Sequence, residues 1–210
     1  MKIAFVGIGN VGFALADNLS KAGYEVVIAA ESPCSDSVQK ALARNKNLQY
    51  KDLSQGIAWA AVVFLAVPFK VVEQLVPQLD LAGKVLVDCT NPVGPGMTHG
   101  MESKQSGSEL IQSLAPESKV VKAFTIYGFE NFITSDYPGY NGLKPAMLLA
   151  GDDAAAKGTV SELCKVLGWE PVDTGSISQA LHLEHMTLLW VKMARVQGQG
   201  SDFVWARLTR

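Results

Sequence analysis

Apolar residues in this chain come in short unbroken runs, separated by stretches with helical spacing. Ile3–Val6, Val26–Ala29, Ala60–Val67, Lys84–Cys89 and Lys119–Thr125 read as strands, and Ala146–Gly151 and Glu170–Thr174 add two more. Runs that lack polar alternation belong to parallel strands covered on both faces. Between them, apolar positions recur every three or four residues after Gly12, in Lys70–Leu79 through Val72, Leu75, Val76 and Leu79, and in Ser108–Leu114. The same period places Ala156, Val160, Leu163, Cys164 and Leu167 on one helical face. Asp152 or Asp153 can cap that helix at its start, and Gly168 closes it. Alternating strands and helices predict an α/β fold built on a doubly wound parallel sheet.

The pattern breaks in three places. Glu31–Asn47 is polar and opens with Pro33, Cys34 and Ser35. Val93–Ser108, rich in glycine and polar residues, reads as a mobile loop, and Tyr127–Gly142 as a second one. The second loop suggests a core of residues 1–144 and a short C-terminal α/β extension of residues 145–210. That extension ends in Ser178–Val196, a long helix that is apolar almost all round. Such a helix must be buried within its own chain or against a second copy, so a homodimer is expected.

Composition narrows the function classes. The 210 residues are 48% hydrophobic and carry a formal net charge of −2. A sizeable core is therefore available, while nucleic acid or an anionic membrane is a poor match as partner. The richest apolar stretch, Met186–Val196, is short and interrupted by Lys192 and Arg195, so no membrane span is expected. The chain enters a strand at once, so no signal peptide is expected. Cys34, Cys89 and Cys164 are far apart and form no CxxC pair, the usage of reduced cytoplasmic thiols.

The chemistry concentrates where strands end. The first strand runs into Gly7-Ile8-Gly9-Asn10-Val11-Gly12, with a helix and a second strand behind it. In that setting Gly7 permits the tight turn, Gly9 lets the backbone approach a pyrophosphate, and Gly12 lets helix and strand pack closely. The free N–H groups of the helix start, around Val11 to Ala14, then face the phosphates. Ligands of a doubly wound sheet bind outside the carboxyl ends of its strands. This selects Gly7–Gly12, Ala30-Glu31-Ser32, Ala66-Val67-Pro68-Phe69, Asn91-Pro92-Val93 and Ala123-Phe124-Thr125, whose small and stiff residues suit a nicotinamide dinucleotide. No Ser–His–Asp set has interpretable spacing, and hydride transfer requires none because the cofactor carries the chemistry. His182 and His185 share a helix face near Glu184, and with His99 they read as packing or hydrogen-bonding residues rather than as metal ligands. No metal is expected.

The fingerprint, Ala66-Val67-Pro68, Asp88-Cys89-Thr90-Asn91-Pro92 and Val121-Lys122-Ala123-Phe124 together resemble the deazaflavin-dependent NADP oxidoreductases of the coenzyme F420 family. Ala150–Asp153, Leu167-Gly168-Trp169, Leu183-Glu184 and Gly198–Arg207 extend the resemblance over nearly the whole chain. It implies a Rossmann core and a nicotinamide stacked on a flavin-like ring, in a cleft between the sheet and the C-terminal segment. By position, Gly7–Gly12 would hold the pyrophosphate and Ala66–Phe69 would line the adenosine side. Asn91, Pro92, Ala123, Phe124 and Thr125 would surround the nicotinamide. Relatives commonly carry Ser or Asn and then Arg after the second strand, where they grip the 2′-phosphate of NADP. This chain has Ala30, Glu31 and Ser32 there. A carboxylate about 20 residues past the fingerprint suits a free ribose 2′-hydroxyl and so leans to NAD, whereas the family implies NADP. The reading is an NAD(P)-dependent oxidoreductase acting on a flavin or deazaflavin. A reductase of a small carbonyl or imine, and a non-catalytic redox sensor, are the alternatives.

Overall fold

Every helix of the fold connects, covers or caps a strand of one sheet. In the computed structural model, which describes all 210 residues, the order runs β1 (Lys2–Val6), α1 (Asn10–Lys21), β2 (Glu25–Ala30), α2 (Asp36–Arg44), β3 (Gln49–Asp52), α3 (Leu53–Trp59) and β4 (Val62–Leu65). It continues with α4 (Val72–Leu75), β5 (Val85–Asp88), a small hairpin of β6 (Val93–Gly94) and β7 (Thr98–His99), and α5 (Gly107–Leu114). The last part holds β8 (Lys119–Lys122), α6 (Glu130–Ile133), β9 (Ala146–Gly151), α7 (Ala154–Val166), β10 (Glu170–Asp173) and α8 (Ala180–Val191). The sheet has eight strands in the order β10-β9-β8-β5-β4-β1-β2-β3. Because β1 lies between β2 and β4, the order reverses there, and the carboxyl ends of β1 and β4 form the switch point where such sheets bind ligands.

Side-chain alternation splits the core into two layers. Ile3, Phe5, Val26, Ile28, Val62, Phe64, Val87 and Val121 pack with the apolar faces of α1, α2 and α7. The intervening residues Ala4, Val6, Val27, Ala29, Val63, Leu65, Leu86 and Val120 pack with α3, α4 and α5. Both faces are covered, which is why these strands read as continuous apolar runs.

The sheet departs from pure parallel pairing at one ladder. β8 and β9 run antiparallel, with Val121 opposite Gly151 and Lys122 opposite Ala150. The long connection between them carries α6 and returns the chain to the same end of the sheet, so β9 enters in the opposite direction. Residues beyond 144 therefore add β9 and β10 to this sheet, and Met147, Leu149, Leu163 and Trp169 join the larger core layer.

Several elements lie where the pattern predicted none. The polar stretch after Glu31 holds α2, whose only buried residues are Val38 and Ala41. β3 is Gln-Tyr-Lys-Asp, an edge strand with no fully buried residue. An element that buries so little leaves no periodic signal. The loop after Asn91 contains the β6–β7 hairpin, in which Val93 pairs with His99. The segment Lys70–Leu79 is one α-helical turn between two 3-10 turns, because Pro77 cannot continue the ladder.

The apolar C-terminal helix is shorter than its pattern. α8 ends at Val191 and passes into a π-helical turn, Lys192–Val196. Ala180, Leu183, Leu188 and Trp190 are buried in the chain itself, whereas Leu189 is half exposed. No helix is long and apolar enough to cross a membrane.

Candidate functional site

The three glycines of the tight turn after β1 stand in three different surroundings. Gly7 has φ +95°, and a Cβ there would lie 2.4 Å from the Ala66 carbonyl oxygen. A Cβ on Gly12 would lie 2.3 Å from the Gly7 oxygen, so this position lets α1 press onto the turn. Around Gly9 a Cβ would meet nothing within 4 Å. The first two glycines are demanded by the fold, whereas the third faces open space beside the helix start. α1 begins at Asn10, and the Phe13 N–H is already bonded to the Gly9 carbonyl at 2.8 Å. The unpaired donors are thus those of Asn10, Val11 and Gly12, slightly earlier than the sequence suggested. No side chain caps this helix start, so the donors and the positive end of the helix dipole remain available to an anion.

Beside the turn, a pocket of about 440 Å³ opens at the ends of β1 and β2. Gly7, Ala30, Glu31 and Ser32 line one side, and Leu53, Val71, Leu75 and two glutamines, Gln74 and Gln78, line the other. Apolar walls with a few amides fit a planar base, and the acidic Glu31 stands exposed at its rim. Ser32 Oγ accepts the N–H of Cys34 at 3.2 Å and shapes the loop into α2. A second, smaller space of about 260 Å³ lies on the α2 side of the turn, between Ile8, Gly9, Asn10, Phe13, Lys40 and Arg44. The Arg44 guanidinium sits 3.8 Å over the Phe13 ring.

Ala66 and Val67 flank Gly7 from the β4 side. Pro68 is exposed, and Phe69 turns away to pack where Gly107 leaves room for its ring.

At the other end of the switch region, the loops after β5 and β8 meet. The Thr125 hydroxyl bonds Asn91 Oδ1 at 2.8 Å and Thr187 Oγ1 of α8 at 2.8 Å. The Ile126 N–H donates to the same Thr187 oxygen at 2.9 Å. Phe124 and Ile126 both hold positive φ, +50° and +63°, conformations unfavourable for bulky side chains that the surrounding bonds must enforce. The Pro92 carbonyl accepts from Gly100 and ties the hairpin to this loop, leaving Val93 partly exposed. Two expected contacts change character. Ala123 is fully buried, and the Phe124 ring packs against Phe64 and Phe132 in the core. Only the backbone of those two residues can border a ligand.

Under these loops lies a buried polar chain that joins Asp88, Lys122, Glu184 and His99. Lys122 Nζ is wholly buried and donates to Asp88 Oδ2 at 3.0 Å, to Glu184 Oε1 at 3.1 Å and to the Thr90 carbonyl. Burial alone would push the ammonium down, but Asp88 and Glu184 outweigh it and hold Lys122 above the usual lysine value. Asp88 Oδ1 accepts the Thr90 N–H and hydroxyl at 2.8 and 2.7 Å, and its Oδ2 also takes Ser108 Oγ at 2.5 Å. Glu184 accepts the Gly107 N–H and, at 2.8 Å, His99 Nε2. His99 Nδ1 accepts the N–H groups of Met101 and Ser103, which leaves the ring proton on Nε2. The signal for this chain was present in the sequence, since Asp88 and Lys122 each end an apolar strand with a charge. His185 is exposed and stacks on His99 at 5.2 Å, and His182 is exposed on α8.

Neither buried thiol is poised for attack. Burial, reinforced by the Asp88 charge, pushes the Cys89 thiol well up, and burial does the same to Cys164.

Residues 2–92 match the family described as NADP oxidoreductase, coenzyme F420-dependent. The fold is that of a proposed F420-dependent NADP-reductase from Arthrobacter sp. FB24, with TM-score 0.84, 27% identity and 100% of both chains covered. A hypothetical protein of Sinorhizobium meliloti, SMa0349, superposes with TM-score 0.75 and 27% identity over 86% of this chain and 88% of that one. Among curated proteins, metalloreductase STEAP3 of Rattus norvegicus is 30% identical over 189 residues, 89% of this chain and 36% of its own length. The chain thus spans little more than a third of that relative. An unoccupied-by-side-chain cradle at Gly9, free helix N–H groups and a base-sized pocket at the switch point fit the dinucleotide that this family uses. Residues 2–92 thus match the coenzyme F420-dependent NADP oxidoreductase family, and the whole chain shares the fold of a protein described as an F420-dependent NADP-reductase.

Proposed function

We propose that this protein moves a hydride between a nicotinamide dinucleotide on the Gly7–Gly12 turn and a flavin-like or deazaflavin acceptor. The observation that carries the reading is the uncapped start of α1 at the switch point, where the N–H groups of Asn10–Gly12 lie beside a base-sized pocket and no side chain at Gly9 covers them. When bound, the nicotinamide supplies the hydride chemistry. The chain's own residues bind and orient: Asn10–Gly12 give N–H donors, the Glu31 pocket takes the adenosine, and Asn91 with Thr125 borders the nicotinamide side.

A screen of acceptors decides the substrate class. Purified protein should oxidise NADPH or NADH, followed by nicotinamide absorbance, with F420-type deazaflavin or a free flavin. Ferric chelates belong in the same screen, because one relative is named a metalloreductase. Turnover only with small carbonyls or imines would replace the flavin reading by the reductase alternative, and no turnover with tight binding would favour the sensor.

Glu31 sets the choice of dinucleotide in this reading. A carboxylate at the pocket rim accepts a 2′-hydroxyl proton and repels a 2′-phosphate, so Glu31 blunts the NADP habit of the family. Exchanging repulsion for attraction is worth on the order of 1–3 kcal/mol. Glu31→Arg should shift the affinity ratio towards NADP(H) by about tenfold or more. Titration of both reduced dinucleotides measures it, and an unchanged ratio would remove Glu31 from any role in selection.

A further inference from the structure

Four ionisable side chains buried together are a costly way to fill a protein interior. Aliphatic residues of similar volume would often be as stable, so stability alone does not explain them. What an ionic, fully hydrogen-bonded arrangement adds is fixed orientation. The partners of Lys122 show what is being oriented. Its ammonium has three protons and uses all of them, on Asp88, on Glu184 and on the Thr90 carbonyl. Thr90 is thereby held at its carbonyl, its N–H and its hydroxyl. The next residue is Asn91, whose side-chain oxygen is taken by Thr125 while its NH2 remains free for a ligand. Glu184 and Thr187, one turn apart on α8, grip the two loops from the same side. His99 brings the β6–β7 hairpin to the same carboxylate.

We propose that the buried Asp88–Lys122–Glu184–His99 chain is a positioning device that holds Asn91 and Thr125 in register for the nicotinamide end of the site. These four residues touch no reacting atom and act through Thr90, Asn91 and Thr125. The proposal rests on the reading that the dinucleotide runs from the Glu31 pocket across Gly9 to Asn91. It adds that α8 contributes to the site through this chain. It also gives the β7 strand of the hairpin a share in ligand affinity, through His99, which lies outside the residues that border the dinucleotide in that reading.

A fragment comparison tests it. ADP-ribose and 2′-phospho-ADP-ribose share the adenosine and pyrophosphate contacts with NADH and NADPH but lack the nicotinamide. Their affinities and those of the full dinucleotides are measured by calorimetry for the wild type, Glu184→Gln, His99→Ala and His99→Gln. Circular dichroism confirms that each variant is folded. In Glu184→Gln and His99→Ala the fragments should bind as they do to the wild type, while the dinucleotides weaken about tenfold. His99→Gln, whose amide can still donate to Glu184, should recover most of that loss. Equal weakening of fragments and dinucleotides, or no change in either, overturns the positioning role. Should Glu184→Gln fail to fold, the two His99 variants carry the same comparison. A wild type that binds neither fragment nor dinucleotide overturns the dinucleotide reading itself, and the positioning role with it. A wild type that binds fragments as tightly as dinucleotides overturns only the latter.

Discussion

Gly9→Val is expected to lose dinucleotide binding while keeping a native fold and near-native thermal stability. A side chain at this position meets nothing of the protein within 4 Å, and Gly9 is not in the left-handed region, so a valine has both space and an allowed backbone. The branched side chain would instead occupy the open space over the turn, between any pyrophosphate and the N–H groups of Asn10, Val11 and Gly12. Losing those charge-assisted bonds and adding a clash should weaken binding by roughly 100-fold or more, over about 2.7 kcal/mol. The contrast with its neighbours makes the test sharp. Gly7 and Gly12 face backbone at 2.4 and 2.3 Å, so substitution there must disturb the fold itself. Calorimetric titration with NADPH and NADH, alongside a thermal melt, separates the two effects. Wild-type affinity in Gly9→Val would place the dinucleotide elsewhere.

Lys122→Met should be the most destabilising conservative change in the chain. It removes the only cation between two buried carboxylates and leaves Asp88 and Glu184 uncompensated. Breaking a buried ion pair in this way costs about 3–5 kcal/mol. For a domain of this size that corresponds to a fall in Tm of roughly 6–20 °C. A second change, Glu184→Gln on the Lys122→Met background, should restore part of the loss, because the two sites share one network. The pH dependence has a definite sign. Lys122 is held above its ordinary value in the folded protein, so its contribution is fully present below that ordinary value and fades as pH rises through the raised one. The wild type should therefore lose stability in the alkaline range beyond the usual lysine titration, and Lys122→Met should lack that component. Denaturant unfolding across pH measures both; a loss under about 1 kcal/mol would show that the buried charges are not coupled as the contacts imply.

Much of this protein follows from local sequence because the physics involved is local. Parallel strands covered on both faces must be apolar throughout, so β1, β2, β4, β5 and β8 were legible with the alternation that makes a doubly wound sheet. The Gly7–Gly12 turn was legible for the same reason, since positive φ at Gly7 and close backbone approach at Gly12 each demand glycine within six residues. Asp153 capping α7 through the Ala156 N–H, at 2.7 Å, is equally local.

Other features depend on contacts that no sequence window contains. α2 and β3 bury so few side chains that their hydrophobic period is erased, and only docking at the sheet edge makes them regular. The direction of β9 was set by the long excursion through α6, which reverses the entry of the strand into the sheet. The apolar helix offered burial within the chain or against a second copy, and packing of Leu183, Leu188 and Trp190 shows how much the chain buries by itself. The largest gap is the polar chain under the nicotinamide side. Asp88, Lys122, His99 and Glu184 come from two strands, a hairpin and the last helix, with sequence separations of up to 85 residues between bonded partners. Each alone reads as a strand-end charge or a surface polar residue. Only the crossing of β5, β8 and α8 removes water from all four at once, and desolvation is what turns scattered charges into one obligatory network.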